Sequence, residues 1–472
     1  MHAPRSRPIR WGQFVAFAAL MGACGIATAD DAERLEADLR ALFGEGGSLS
    51  LGEVSRAMLR SRVTAEEIVF EADEGERLLI DRYVVSGDYE APDEVTLEGI
   101  RIEDSLTDLT LMSAERIVLG EPSRAVFPLH ADLAPEEVSV GSLAIDGIVL
   151  ELASELAEEL FLDTPLQRGR GRMTIDRVRG ESLTHDAIGM LELTGIEGTA
   201  EELDEIGSGS FTLASLRLEG LTGIDTEGEE TLASLRLHDL DVDASELVGS
   251  LDLLDVDGDF DDGKGGLRLE GLYVDLARMI ELAPEEERSE LRMASNVLTD
   301  GSGELRLDAA LLGSWQDKGD HSVLVSDSEI DVQDALRLLF DVNLPVQLPS
   351  GVTPADAFAD TAWLERATLL GGDMRLNLSD EGLFARMATL GAAMEGITEA
   401  QYVEQARTQA QGIGMMFGPE AQAVLLGLVE LLEGSAEELE VRASLPAESS
   451  VGSYKADPLG VAEKLNIKVE TR

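Results

Sequence analysis

From about Ser48 onward the chain sets apolar residues against polar or acidic ones at a period of two. SLSLGEV, EEIVFEA, LLIDRYVV, VTLEGIRIED, LTDLTLM, ERIVLG, VSVGSLAIDGIVLEL, MTIDRV and MLELTGIEG all keep this alternation, which predicts half-buried strands. Gly, Asp and Glu between them supply turn residues and charged edges. A different period precedes the strands. In Asp30–Phe43, Leu35, Leu39, Leu42 and Phe43 recur at helical spacing behind an acidic start, and Gly44 and Gly46 follow. This spacing predicts a short amphipathic helix.

The helical period returns late in the chain. DVQDALRLLFDV, Asp331–Val342, reads as an amphipathic helix, with Pro345, Pro349 and Pro354 marking a break after it. One strand is expected at Asp373–Leu378. Beyond it, Ser379 is placed to cap a helix carrying Leu383, Phe384, Met387, Leu390, Met394 and Ile397. Thr398 and Gln401 make a capping box for the next helix. Pro419 at a first helical position and Gly434 at a stop bound a third, Pro419–Glu433, with apolar residues nearly all round it. ELEVRASL from Glu438 and NIKVETR at the end return to strand.

Internal repetition is explicit in the middle. TLASLRLEGL runs from Thr212 to Leu221, TLASLRLHDL from Thr231 to Leu240, and LRLEGL recurs at Leu267–Leu272. Leu213, Leu216, Leu218 and Leu221 match the L-x-x-L-x-L start of a leucine-rich repeat. No asparagine stands at the ladder position, and the third copy does not keep the spacing of the first two. A leucine-rich solenoid and a right-handed β-helix both need several in-register units. An irregular stack of antiparallel strands fits better. The expected class is therefore α+β, mainly β: a long, irregular, repetitive antiparallel sheet of amphipathic strands with a C-terminal helical cap. One face of such a sheet is Leu, Ile and Val, and it needs a second layer, helices or a ligand to cover it. The expected divisions are a signal peptide at 1–29, a β-rich domain with an N-terminal helix at 30–345, and a helix-rich C-terminal region ending in strands at 346–472.

Charge narrows the range of partners. The chain carries 93 Asp plus Glu against 37 Lys plus Arg, a formal −56, and only Lys264, Lys318, Lys455, Lys464 and Lys468 are lysines. Such a surface repels phosphate backbones, which excludes nucleic acid as a partner and disfavours anionic membrane surfaces. The N-terminal residues point to export. Arg5, Arg7 and Arg10 precede the apolar WGQFVAFAALMGACGIA, and Ala27 and Ala29 offer a cleavage site before Asp30. A second cut is conceivable in LMGACG, giving a lipoprotein through Cys24, although Met21 and Gly22 fit that pattern poorly. A periplasmic or secreted protein follows from either cut. No later apolar run reaches the ~18 residues of a spanning helix. Cys24 is the only cysteine, so a disulfide scaffold, a thiolate zinc cluster and a cysteine nucleophile are not expected.

Candidate chemistry is sparse. His130, His185, His238 and His321 stand apart, with His185–Asp186 and His238–Asp239 as adjacent pairs that do not put the two side chains on each other. No catalytic residue and no cofactor is assigned. LDLLDVDGDFDDGKGGLRLEG, Leu251–Gly271, holds Asp255, Asp257, Asp259, Asp261 and Asp262. As an EF-hand started at Asp255 it fails, since Phe260 falls at the required Gly and Gly266 at the bidentate Glu. A hairpin with a Gly-rich turn is the better reading. Asp257, Asp259 and Asp261 remain a weak surface site for calcium, since alternate strand residues share a face.

The signal, the following helix, strands such as VTLEGIRIED and TLASLRLEGL, and the late VLLGLVELLEGSAEELEVRASLP together resemble repetitive exported bacterial proteins of the AsmA and YdgA-like kind. That resemblance implies envelope maintenance, or handling of hydrophobic molecules on a β-rich groove, and it carries over no catalytic residue. The chain departs from AsmA proteins in its cleavable-looking signal, where they retain an anchor helix. The function expected is thus a non-enzymatic, acidic protein of the cell envelope that scaffolds a complex or shelters lipid, with an envelope protein as a partner in the scaffold case. A calcium-dependent surface or adhesion protein and a secreted hydrolase with paired carboxylates are the alternatives.

Overall fold

The computed structural model describes residues 31–42, 47–57, 61–72, 75–127, 138–154, 170–202, 207–226, 230–245, 247–258, 263–354, 357, 362–456 and 464–472. The protein is mainly β, with antiparallel strands throughout and helices gathered towards the C-terminus. It divides into two compact units, Met1–Leu247 and Val248–Arg472.

The first unit opens with α1 (Asp31–Leu42), whose Leu35 and Leu39 are fully buried, as the helical spacing predicts. Its strands are β1 (Gly47–Ser50), β2 (Val54–Arg56), β3 (Arg62–Ala72), β4 (Glu76–Gly87), β5 (Pro92–Asp104), β6 (Leu109–Pro122), β7 (Ser139–Glu151), β8 (Arg170–Thr184), β9 (Ala187–Glu202), β10 (Gly209–Thr222) and β11 (Ser234–Ala244). β1 and β2 both line one edge of β3, and from β3 to β11 each strand pairs with the next in sequence. Sequential antiparallel pairing rules out the leucine-rich solenoid and the β-helix. The expected strand LTDLTLM begins only at Leu109. Before it a turn holds Asp108 at φ 55, and the Asp104 carboxylate accepts from the Leu106 N–H at 2.8 Å.

These strands do not alternate uniformly. From β3 to β9 each strand breaks parity at one shared level, with two outward residues between two apolar ones: Ala65 and Ile68, Ile80 and Tyr83, Leu97 and Ile100, Ala114 and Ile117, Ile145 and Ile148, Ile175 and Val178, Leu193 and Ile196. The breaks lie side by side in the register. On β3, β5, β7, β9 and β11 the outward pair includes a residue at positive φ: Glu67, Gly99, Gly147, Gly195 and Asp239. The strands between answer with Asp81, Glu115, Asp176 and Ala214. A Cβ on Gly99 would lie 2.0 Å from Asp81 Oδ2, and one on Gly195 would lie 2.3 Å from Asp176 Oδ2, so both the backbone angle and the space demand glycine there. An irregularity of this kind bends its strand and sharpens its twist. Repeated in register from β3 to β11, it forms a crease across the sheet.

The crease explains the repeated sequence. Copies 212–221 and 231–240 pair antiparallel, with Leu213 opposite Leu240 and Leu216 opposite Leu237. Ala214 of the first copy meets Asp239 of the second, and Gly220 of the first meets Ala233 of the second, its would-be Cβ only 2.6 Å from the alanine methyl. The repeat is a self-complementary strand pair. On the inner face both sides of the crease are buried, as with Val95 and Leu97 on one side and Ile100 and Ile102 on the other. One cluster joins α1, these strand residues and Ala125–Phe127. The outer face carries a charged row beside the crease, in which Arg82 meets Glu98 at 2.9 Å and Glu66 at 3.7 Å, and Arg177 meets Asp146 at 2.7 Å.

The second unit contains β12 (Val248–Asp257), β13 (Lys264–Asp275), α2 (Leu276–Leu282), α3 (Arg288–Thr299), β14 (Glu304–Asp317), β15 (Ser322–Val332), β16 (Leu336–Gln347), α4 (Ala362–Arg366), β17 (Thr368–Asp380), α5 (Leu383–Glu395), α6 (Glu399–Phe417), α7 (Pro419–Glu433), β18 (Glu438–Ser449), α8 (Val451–Ala456) and β19 (Asn466–Thr471). β12 to β19 pair antiparallel in sequence order. Here one expectation is overturned. Asp331–Val342 is not a helix: β15 ends at Val332, Asp334 turns the chain at φ 60, and β16 follows. The apolar residues Leu336, Leu338, Phe340, Val342 and Leu344 satisfy a period of two, and two sheet neighbours outweigh the local helical pattern. The expected division after residue 345 falls inside β16. Pro345 is accommodated by an irregularity in the β16–β17 register between Asn343 and Val346, since proline cannot donate to the ladder.

The cap helices follow the sequence closely. Thr398 and Gln401 form the capping box, and α7 runs from Pro419 to Glu433 with Gly434 at φ 70 closing it. Ser379 does not cap α5. It remains in β17, and the Asp380 carboxylate accepts from the Gly382 and Phe384 N–H groups at 3.1 Å instead.

Candidate functional site

The second unit lacks the shared crease of the first: the inward residues of β14 and β15 alternate strictly, and those of β16, β17 and β18 do so up to the irregularities beside Pro345 and Leu369. Its apolar face stacks in rows. Leu311, Ser328, Phe340, Leu376 and Val441 form one row, and Gly313, Ser326, Val342, Met374 and Ala443 the next. Two clusters close the ends of this face. At one end Leu428 and Leu431 of α7, with Phe384 of α5, pack on Leu378, Leu439 and Val469. At the other, Trp363 and Leu364 of α4 and Tyr454 of α8 pack with Trp315, Val346 and Leu369.

Between the two clusters lies an open cavity of about 580 Å³. Its floor is Leu338, Phe340, Val342, Met374 and Leu376, and Leu311 on its β14 side is 46% exposed. Gly313, Ser326 and Ser328 deepen it, because small side chains on β14 and β15 face larger ones on β16 and β17. The two serine hydroxyls hydrogen-bond each other at 2.9 Å. In such a pair one hydroxyl proton is used and the other stays available. Glu329 is the one titratable residue among the described lining residues. The surroundings suit an apolar ligand with one small polar group: an extended hydrophobic floor and a hydroxyl pair set into it.

The opposite face of these strands is ionic. Glu440 is only 5% exposed and sits among Arg375 at 3.3 Å, Arg472 at 3.2 Å and Arg442. The Arg442 hydrogen bond, with the charge of all three guanidiniums, holds its carboxyl below the ordinary range against the opposing effect of burial. The polar face is thereby locked by multidentate arginines, consistent with the preference for Arg over Lys.

The other sequence candidates lie elsewhere. Val248–Asp257 and Lys264–Asp275 form the hairpin arms expected of the Asp-rich stretch, with Asp255 opposite Arg268 and Asp257 opposite Gly266. Asp259 and Asp261 lie outside the described residues, and among the described residues no three His, Cys, Asp or Glu side chains group to hold a metal ion. His185 meets Asp225 at 3.2 Å rather than its neighbour Asp186. A side-chain hydrogen bond between Asp186 and Asp225 favours a raised Asp186 carboxyl and a lowered Asp225 carboxyl. His238 stands opposite Ser215, His321 meets Asp320 at 2.7 Å, and His130 lies outside the described residues.

Sequence reasoning missed the cavity because it read Phe340 and Val342 as part of a helix, Asp331–Val342. The signal that locates them is the alternation LRLLFDVNL, which continues the strand period past Asp334.

A protein-family profile described as "Uncharacterized protein" matches residues 329–472, which spans the floor of the cavity and the helices at both ends of it. No curated protein matches the chain. Among the described residues no helix is long and apolar enough to cross a membrane.

Proposed function

We propose that the protein binds a hydrophobic small molecule, of the fatty-acyl class, in the trough of its second unit, acting as an exported carrier or shelter in the cell envelope rather than as a catalyst. The supporting observation is the open apolar floor around Phe340, closed at both ends by helices yet uncovered between them. An exposed apolar patch rimmed by polar residues marks a binding surface in a soluble domain. The Ser326–Ser328 pair supplies the polar group that would orient such a ligand. The signal-like start and the resemblance to AsmA-type proteins support the envelope setting.

Native mass spectrometry of protein purified from its own host tests this reading. A co-purified species of lipid mass, lost from Phe340→Asp, is the expected result. Ligand-free protein that also fails to take up a fluorescent fatty acid would overturn it.

A further inference from the structure

Among its described lining residues the trough holds no cation. The arginines of β13 to β18, Arg268, Arg306, Arg337, Arg375 and Arg442, alternate with the inward residues and fall on the opposite face, where Lys264 also stands. Each arginine is met there by a carboxylate: Glu270 at 3.7 Å, Glu304 at 2.9 Å, Glu329 at 2.6 Å, and Glu440 for the last two. Glu329 thus borders the cavity with its own carboxylate engaged by Arg337. On the helices at the two ends the cations are held as well. Lys455 pairs with Glu365 at 2.6 Å, Arg366 stacks on the Trp363 ring at 5.1 Å, and Arg386 donates to the Val297 carbonyl at 2.7 Å.

What the floor offers a headgroup is an uncharged donor. Ser326 and Ser328 hydrogen-bond each other at 2.9 Å, and the pair keeps one hydroxyl proton to give. Ser328 is only 7% exposed, so the pair is set among Leu338, Phe340, Val342 and Leu376 rather than in bulk water. A carbonyl oxygen accepts such a proton without carrying charge into the site. A carboxylate accepts it too, but gives up hydration with no cation to replace it, in a chain of net −56. Burial without a counter-charge raises a carboxyl pKa, so a fatty acid binds best in its protonated form.

We propose that the trough selects acyl ligands whose polar end is an uncharged carbonyl, an ester or an amide, over the free carboxylate of the same chain. This selection rests on the trough being an acyl site, and it is set by the hydroxyl pair in a lining without cations among the described residues.

Displacement of the uncharged dye Nile red from the full chain tests it, with dodecanoate, dodecanamide and methyl dodecanoate as competitors. The amide has nearly the shape of the carboxylate, so that comparison isolates charge. At about pH 8, where a carboxyl is ionised, the amide and the ester should bind at least about tenfold more tightly than dodecanoate. At about pH 5 the gap should narrow, because the acid alone strengthens as it takes up a proton. Ser326→Lys, which puts a cation on the half-buried member of the pair, should reverse the order in favour of dodecanoate. Dodecanoate that matches the amide at about pH 8 overturns the selection while leaving the acyl site standing. So does an unchanged order in a folded Ser326→Lys, which would place the selection outside the trough. If none of the three displaces the dye, the acyl site itself falls, and the selection with it.

Discussion

The affinity of the trough for acyl chains should depend on chain length, and the size of the dependence follows from its geometry. Fully burying one methylene is worth about 0.8 kcal/mol, or roughly fourfold in affinity. The trough is open on one side, so a bound chain stays partly in contact with water, and about half that value, roughly twofold per methylene, is expected. Between an eight-carbon and a fourteen-carbon fatty acid this amounts to about sixtyfold. Phe340 lies at the centre of the floor, in the row from Leu311 to Val441. Phe340→Asp puts a carboxylate beneath the ligand, where its desolvation should cost about 2 kcal/mol, a loss of roughly thirtyfold. Phe340 is only half-buried without ligand, so the variant should fold, with a melting temperature a few degrees lower. Titration of a polarity-sensitive fatty-acid probe, with displacement by unlabelled chains of each length, measures both effects. A flat dependence on chain length, or unchanged binding by a folded Phe340→Asp, would refute the reasoning.

Three further outcomes follow. Gly99→Ala should destabilise the first unit by about 2–4 kcal/mol, because φ 66 disfavours a Cβ and the new methyl collides with Asp81; thermal denaturation checks this, and an unchanged melt would mean the crease tolerates side chains. Glu440→Gln should destabilise the second unit at neutral pH. The lowered carboxyl contributes stability above the ordinary value of 4.5 and loses it as pH falls through the depressed one, so the gap between wild type and variant should close in acid; denaturant titrations across pH 3–7 would show a constant gap if the arginines around Glu440 were irrelevant. Thr398→Ala removes a capping-box acceptor at the start of α6 and should cost about 1 kcal/mol, read as a lower urea midpoint with an unchanged slope.

Much of this fold is legible where local chemistry and global pairing agree. The start of α1, the capping box at Thr398 and the bounds of α7 follow from spacing, caps and glycine stops. The strands follow from alternation. The reading went astray where one pattern serves two purposes. DALRLLF satisfies a helix as well as a strand, and only the neighbours β15 and β17 decide between them. L-A-S-L at Leu213–Leu216 looks like the start of a leucine-rich repeat, but it is the parity break of the crease. The same apolar-x-x-apolar step recurs as AEEI, LEGI, IDGI and LTGI, so the crease is written in the sequence as a recurring change of phase. The trough was hidden for a different reason. Its floor draws Leu311, Ser328, Phe340 and Leu376 from separate strands, and only register brings them together.

The crease also fixes how such a protein can change in size. Its unit is a hairpin: one strand supplies the left-handed residue, the next the side chain opposite it, and copies 212–221 and 231–240 show the two parts fitting each other. Duplicating a hairpin in phase would extend the first unit by two strands, about 10 Å, while the crease runs on through the added pair. Length is thus inherited separately from the crease, and related chains can differ in reach without redesigning it.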